Sequence, residues 1–168
     1  MALDPHSVNP AAYNKLVGRA VLRGIRLTEA RFEMKPEAVE LDHKVWKRSL
    51  SGELLDHFTD AERGLVVGTL LFEVTFRHRR KRILHVAARY VVTYHVDEPG
   101  EPDVGRLFVE RVGRVATYPF FRVIVATLSS QAGVQLPPLP MISLQPRSVK
   151  SAANFEPTDE GASRDATK

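Results

Sequence analysis

Hydrophobic and polar residues alternate most strictly between Leu65 and Val96. From Gly68, the residues Leu70, Phe72, Val74 and Phe76 fall on one side, with Thr69, Leu71, Glu73, Thr75 and Arg77 between them. The pattern resumes as Leu84, Val86, Ala88, Tyr90, Val92, Tyr94 and Val96, opposed by His85, Arg89, Thr93 and His95. Alternation of this kind, rich in β-branched and aromatic residues, predicts two strands with one buried face. His78-Arg79-Arg80-Lys81-Arg82 joins them, a length that suits an antiparallel hairpin without its usual glycine. Weaker alternation predicts two earlier strands. One covers residues 20–33, where Gly24 would place a bulge that moves the inward face from Leu22 to Ile25 and Leu27. The other covers residues 38–47, with Val39, Leu41, His43 and Val45 set against Glu40, Asp42 and Lys44. Residues 49–64 read as a loop with a short helical turn at Leu54, Leu55 and Phe58. Residues 11–19 fit either a helix or an early start of the first strand.

Beyond Pro99, Gly100 and Pro102 the period lengthens. Leu107, Phe108, Val112 and Val115, then Phe120, Phe121, Ile124 and Leu128, recur at three- and four-residue spacing up to Gly133. This predicts an amphipathic helix in two pieces. A proline in mid-helix costs about 3 kcal/mol, so Pro119 is expected to open the second piece. Gly133 is a suitable C-terminal stop. The predicted class is α+β: a four-stranded antiparallel sheet, then a long amphipathic helix and a Pro-rich loop or short second helix. Residues 1–18 read as a flexible N-terminal segment, 19–146 as one domain and 147–168 as a disordered tail.

One sheet and one helix leave apolar material over. Val123, Ile124 and Val125 are consecutive, and Tyr118, Phe120 and Phe121 crowd around Pro119. A helix apolar on more than one stripe is buried on more than one side, which predicts self-association.

Composition narrows the chemistry. The chain has 168 residues, 43% apolar, a net charge of +4 and no cysteine. Disulfide scaffolds, thiolate zinc sites and cysteine nucleophiles are thereby excluded. Residues 1–10 lack the apolar run of a signal peptide. The uncharged stretch from Val123 to Pro146 is broken by Pro137, Pro138 and Pro140, so it does not read as a membrane helix. A cytoplasmic protein is expected. His6, His43, His57, His78, His85 and His95 form no metal-ligand spacing. His85 and His95, on one strand face, would lie about 33 Å apart. Ser129-Ser130 lacks the glycines of a nucleophile elbow, and no phosphate-binding glycine loop is present. Neither catalysis nor a cofactor is expected.

Arg79, Arg80, Lys81 and Arg82 form a basic run that would suit phosphates. No aromatic lies among them to stack on a base, so nucleic-acid binding stands only as an alternative to a solvated turn. Leu136-Pro137-Pro138-Leu139-Pro140 reads as a rigid loop laid on the protein's own surface rather than a polyproline ligand.

Tyr118-Pro119-Phe120-Phe121-Arg122, followed by Gly133 and the Leu136–Pro140 segment, resembles the C-terminal signature of the SecB export-chaperone family. That signature is an aromatic, a proline, an aromatic, any residue and an arginine at the opening of the main helix. A glycine at the helix end and a Leu/Pro-rich segment follow. The order of four strands before the helix is similar too, with Ile25-Arg26-Leu27 corresponding to the first strand. The resemblance implies an ATP-independent holdase that binds unfolded or export-bound chains in apolar grooves, or a dedicated client such as an antitoxin. It implies a dimer of dimers built on the main helix, with Leu107, Val112, Phe120, Phe121, Ile124 and Leu128 at the subunit interface. It also implies client contact at Leu136, Leu139, Met141, Ile142 and Leu144, residues that would otherwise cap the protein's own core. Two departures stand out. Val123 follows the motif arginine where the family often has an acidic residue. The outward strand face carries Arg77, Arg89, His85 and His95 where the export factor is acidic, which works against charge-driven docking to the SecA motor.

Overall fold

The structure, a computed structural model, describes residues 8–142. The tail predicted at 147–168 lies outside them. Helix α1 (Pro10–Arg19) precedes strand β1 (Val21–Met34), and two short 3-10 turns (Pro36–Val39 and His43–Val45) lead to β2 (Lys47–Asp60). Strands β3 (Leu65–His78) and β4 (Lys81–His95) follow, then helix α2 (Pro102–Phe108), a π-helical turn (Val109–Gly113) and helix α3 (Arg114–Gln131). The four strands form one antiparallel sheet in the order β1-β4-β3-β2, so β1 and β2 are its two edges. The helices cover one face of it.

Alternation in β3 and β4 translates directly into burial. Val66, Leu70, Phe72, Val74, Leu84, Val86 and Val92 face the helices and are fully buried. Each such side chain contributes about 1.5–3 kcal/mol. Phe72 is the hub: it stacks on Phe121 at 5.5 Å and meets Tyr118 at 5.8 Å and Tyr90 at 6.2 Å. The connection between the two strands is tighter than the five residues read from sequence. His78 pairs with Lys81, and only Arg79 and Arg80 turn, at φ 44° and 74°. Two residues at positive φ are what a type I′ turn requires. Arginine supplies them in place of glycine, against a steric cost of about 1–2 kcal/mol per residue.

In β1 the register shifts between Leu22 and Gly24, as the sequence predicts, and again between Leu27 and Glu29. Ile25 packs on the core. Leu27, opposite Tyr90, stays 41% exposed because none of the described residues covers that edge of the sheet.

Three sequence expectations are corrected. Residues 38–47 are not a strand. Asp42 accepts the Lys44 amide proton at 2.9 Å and nucleates a 3-10 turn, while Val39 and Val45 point to solvent. The strand lies instead at 47–60, in the stretch read as loop and helical turn. Its inner positions include Gly52, His57 and Thr59, and a bulge between Leu54 and Asp56 breaks the period, so the apolar signal is faint. Gly52 is required there, since a Cβ would sit 2.9 Å from the Phe72 ring. Residues 10–18, assigned to a flexible segment, belong to α1. Asn9 caps the helix, Leu16 is buried, the Arg111 guanidinium lies 5.8 Å above the Tyr13 ring, and Lys15 pairs with Glu98.

The irregularity in the long helix also falls elsewhere than expected. Pro119 lies inside α3 on its exposed side. The break is the π turn at 109–113, which lowers Val109 onto the sheet above Gly68. At the far end, Gly133 (φ 77°) donates to the Ser130 carbonyl and Val134 to that of Ser129. This is the glycine-terminated helix stop predicted from sequence.

Tyr90 and Tyr94 lie on the inner face with hydroxyls that meet no partner among the described residues. Burial pushes both phenols up to about 12. An unfolded chain loses these protons near pH 10. Between pH 10 and 12 the unfolded state therefore binds fewer protons than the native one, and stability falls as pH rises. Melting temperature is expected to be flat below pH 9.5 or so and to drop steeply above 10. The Tyr90→Phe, Tyr94→Phe double variant should flatten that alkaline limb, and an unchanged limb would assign it to other groups.

Candidate functional site

The crossover from β1 to β2 must pass over β4 and β3, since the two edges are consecutive in sequence. It does so at the hairpin end of the inner face. Ala38 is buried there, and the Lys35 amide bonds the carbonyl of Ile83, a residue bulged out of the β3–β4 register. The segment after α3 returns to the same end. Tyr118 donates its hydroxyl to the Pro140 carbonyl at 2.7 Å, the Arg122 guanidinium lies against the Met141 sulfur at 2.8 Å, and Leu139 is 5% exposed. The Leu136–Pro140 run is thus a loop held on the protein's own surface, as read from sequence.

Between crossover and returning segment lies a cavity of about 470 Å³ lined by His43, Lys44, Trp46, Arg48, Phe76, Leu136 and Pro137. Trp46 and Phe76 meet edge-to-face at 6.0 Å and form its aromatic floor. The indole nitrogen of Trp46 has no hydrogen-bond partner among the described residues. Burial raises the Tyr118 phenol, while the nearby Arg122 and Arg48 guanidinium groups pull it back. An open cavity with an apolar floor and a few cations can hold a large apolar side chain and orient its neighbours. No cluster of acidic, histidine or cysteine side chains suited to a metal occurs among the described residues.

The predicted client residues separate. Leu136 lines the groove, and Met141 stands beside it at 75% exposure. Leu139 is part of the core, and Ile142 leans on it half-buried, so Leu139 offers no free surface and Ile142 keeps some. Leu144 lies outside the described residues. Trp46, Phe76 and the crossover were missed. The single tryptophan of the chain, next to two cations, was the available signal.

The predicted interface residues divide in the same way. Phe121 is fully buried in the lone subunit, Leu107 is buried, and Val112, Ile124 and Leu128 pack on the core, so the inner face of the helix consumes them. Phe120 (50% exposed) and Val123 (64%) stand on the opposite side. Pro119, Ala126, Thr127 and Ser130 join them in a stripe without charge. Each motif residue therefore has a separate task. Tyr118 and Arg122 hold the returning segment, Phe121 fills the core, Phe120 faces outward and Gly133 ends the helix.

On the other face of the sheet several basic groups meet acidic ones. Arg89 reaches Glu29 at 3.2 Å, Arg31 also meets Glu29, and His85 sits 3.7 Å from Glu73 and 3.0 Å from the Thr75 hydroxyl. The surface is mixed rather than basic as read from sequence. In the hairpin, Arg82 is bound to Glu33 at 2.8 Å, which shortens the unpaired cationic run of the nucleic-acid alternative to Arg79, Arg80 and Lys81. No helix among the described residues is long and apolar enough to cross a membrane.

A four-stranded antiparallel sheet with this strand order, crossover and C-terminal helix is a SecB-like fold. The Mycobacterium tuberculosis Rv1957 SecB-like chaperone, solved in complex with a ChAD peptide from the Rv1956 HigA1 antitoxin, is similar over 81% of this chain and 99% of its own. Its TM-score is 0.66, at 18% identity. A Streptococcus agalactiae protein of unknown function aligns over 70% of this chain and 96% of its own at TM-score 0.33 and 11% identity, a likeness on which nothing is built. No family model and no curated protein matches the sequence.

Proposed function

We propose that this protein is a non-catalytic, ATP-independent chaperone that holds segments of incompletely folded polypeptide in the Trp46–Phe76–Leu136 groove. The observation that carries this reading is the groove itself, an open cavity with an apolar floor and cationic flanks on a SecB-like fold, walled by the crossover and the returning segment. The antitoxin peptide in the complex of the M. tuberculosis chaperone supports a dedicated client of that kind over general export. The cytoplasm is the place of action in this reading. The mixed-charge outer sheet face gives no negative surface for SecA. In an aggregation assay, the purified protein is expected to keep a denatured client soluble at near-stoichiometric amounts without nucleotide. Failure across several clients and an antitoxin-derived peptide would end the proposal.

The same reading includes a homo-oligomer, with a dimer of dimers as the form implied by family resemblance. The uncharged stripe around Phe120 and Val123, and the uncovered β1 edge with Val21, Leu22 and Leu27 exposed, are surfaces a sister subunit would bury. Truncating an interface anchor costs about 2 kcal/mol or more. Phe120→Glu with Val123→Glu is therefore expected to lower the mass in solution to a smaller species while the melting transition persists. An unchanged mass would remove the stripe from the interface.

A further inference from the structure

We infer that the polypeptide segment recognised by the groove is acidic, with an aromatic or large aliphatic anchor flanked by Asp or Glu. This rests on the groove being the client site and goes further by naming the client's chemistry. The floor of Trp46, Phe76 and Leu136 suits the anchor. The flanks are set by charge. His43, Lys44 and Arg48 line the cavity.

Lys44 and Arg48 stand around one apolar floor, and like charges gathered there repel each other unless anions meet them. Carboxylates near the crossover do not offset these charges. Glu33 holds Arg82 at 2.8 Å, and Asp42 accepts the Lys44 amide at 2.9 Å. Glu37 and Glu40 belong to the first crossover turn and its end, and neither reaches a cation within ion-pair distance among the described residues. Lys44 and Arg48 likewise make no ion pair among those residues. Carboxylates on either side of an anchored side chain would relieve the repulsion, and the potential would steer them in. A polyanion is the competing occupant. It is disfavoured because the aromatic floor is a pocket rather than an exposed stacking platform, and because the turn arginines Arg79 and Arg80 have no aromatic beside them.

The test compares two labelled peptides with the same Trp and Leu anchors, one flanked by Asp and Glu and one by Lys, titrated by fluorescence anisotropy against the full chain. The acidic peptide is expected to bind about tenfold tighter or more at low salt, and the gap should close toward about 0.5 M, where screening is within a few ångströms. The Lys44→Glu, Arg48→Glu variant, with its melting temperature checked, should reverse the preference. The wild-type comparison decides the matter alone should that variant misfold. Equal binding of both peptides, or tighter binding of the lysine-flanked one, overturns this inference and leaves the groove as client site. If neither binds, the groove reading falls and takes the inference with it. If a single-stranded oligonucleotide displaces the acidic peptide as effectively as unlabelled peptide does, the surface is a phosphate site and the inference is overturned.

Discussion

Replacing Gly68 by alanine is expected to destabilise the fold by about 3 kcal/mol, the upper end of the overpacking range. A Cβ at this position would lie 2.1 Å from one Val109 methyl carbon and 3.2 Å from the other, with the Val109 Cβ at 3.1 Å. Val109 is fully buried in the π turn and β-branched, so it has few rotamers through which to yield. The backbone must give instead, either by lifting the helical layer or by bending β3. In a chain of this length each kcal/mol lowers the melting temperature by about 2–4 °C, so a drop of about 10 °C is expected in a thermal scan. Val109→Ala alone also costs stability, because it empties the space over Gly68. The double variant should be more stable than the sum of the two single losses, since the small side chain accepts the new methyl. A Gly68→Ala protein as stable as the parent would mean that the π turn does not press on the sheet.

Trp46→Ala is expected to weaken peptide binding in the groove by about 30-fold or more, the equivalent of about 2 kcal/mol for a central aromatic anchor. Trp46 makes the edge contact with Phe76 and contributes the largest single side chain of the cavity wall. It is only partly buried in the free protein, so the melting temperature should move by far less than for Gly68→Ala. Arg63→Ala, in the β2–β3 turn at the other end of the sheet, serves as a control with unchanged binding. Retained affinity in Trp46→Ala would place the client elsewhere.

Both predictions rest on features of unequal legibility. The Gly68–Val109 contact is invisible in one dimension: a glycine amid an alternating strand and a valine in a helical run give no sign that they touch. The Trp46 groove was missed for a related reason. The crossover alternates Val39, Leu41, His43 and Val45 like a strand, yet Pro36 and the Asp42 side chain bias it to tight turns, and its valines end in solvent. Strand β2 was lost in turn because Gly52 makes room for Phe72, and a bulge near Leu55 disrupts the alternation.

The amino-acid sequence by itself determined the β3–β4 hairpin, the bulge at Gly24, the amphipathic helix with its glycine stop and the surplus of apolar residues along that helix. These are local regularities: burial of one face repeats every two residues in a strand and every three or four in a helix, so the pattern records it. Only the tertiary structure decided that Phe121 turns inward while Phe120 turns outward. It alone decided that Leu139 closes the core while Met141 stays exposed, and that Trp46 and Leu136 line one cavity. Those outcomes depend on segments far apart in the chain meeting at one end of the sheet, and no periodicity encodes which distant surface a side chain will find.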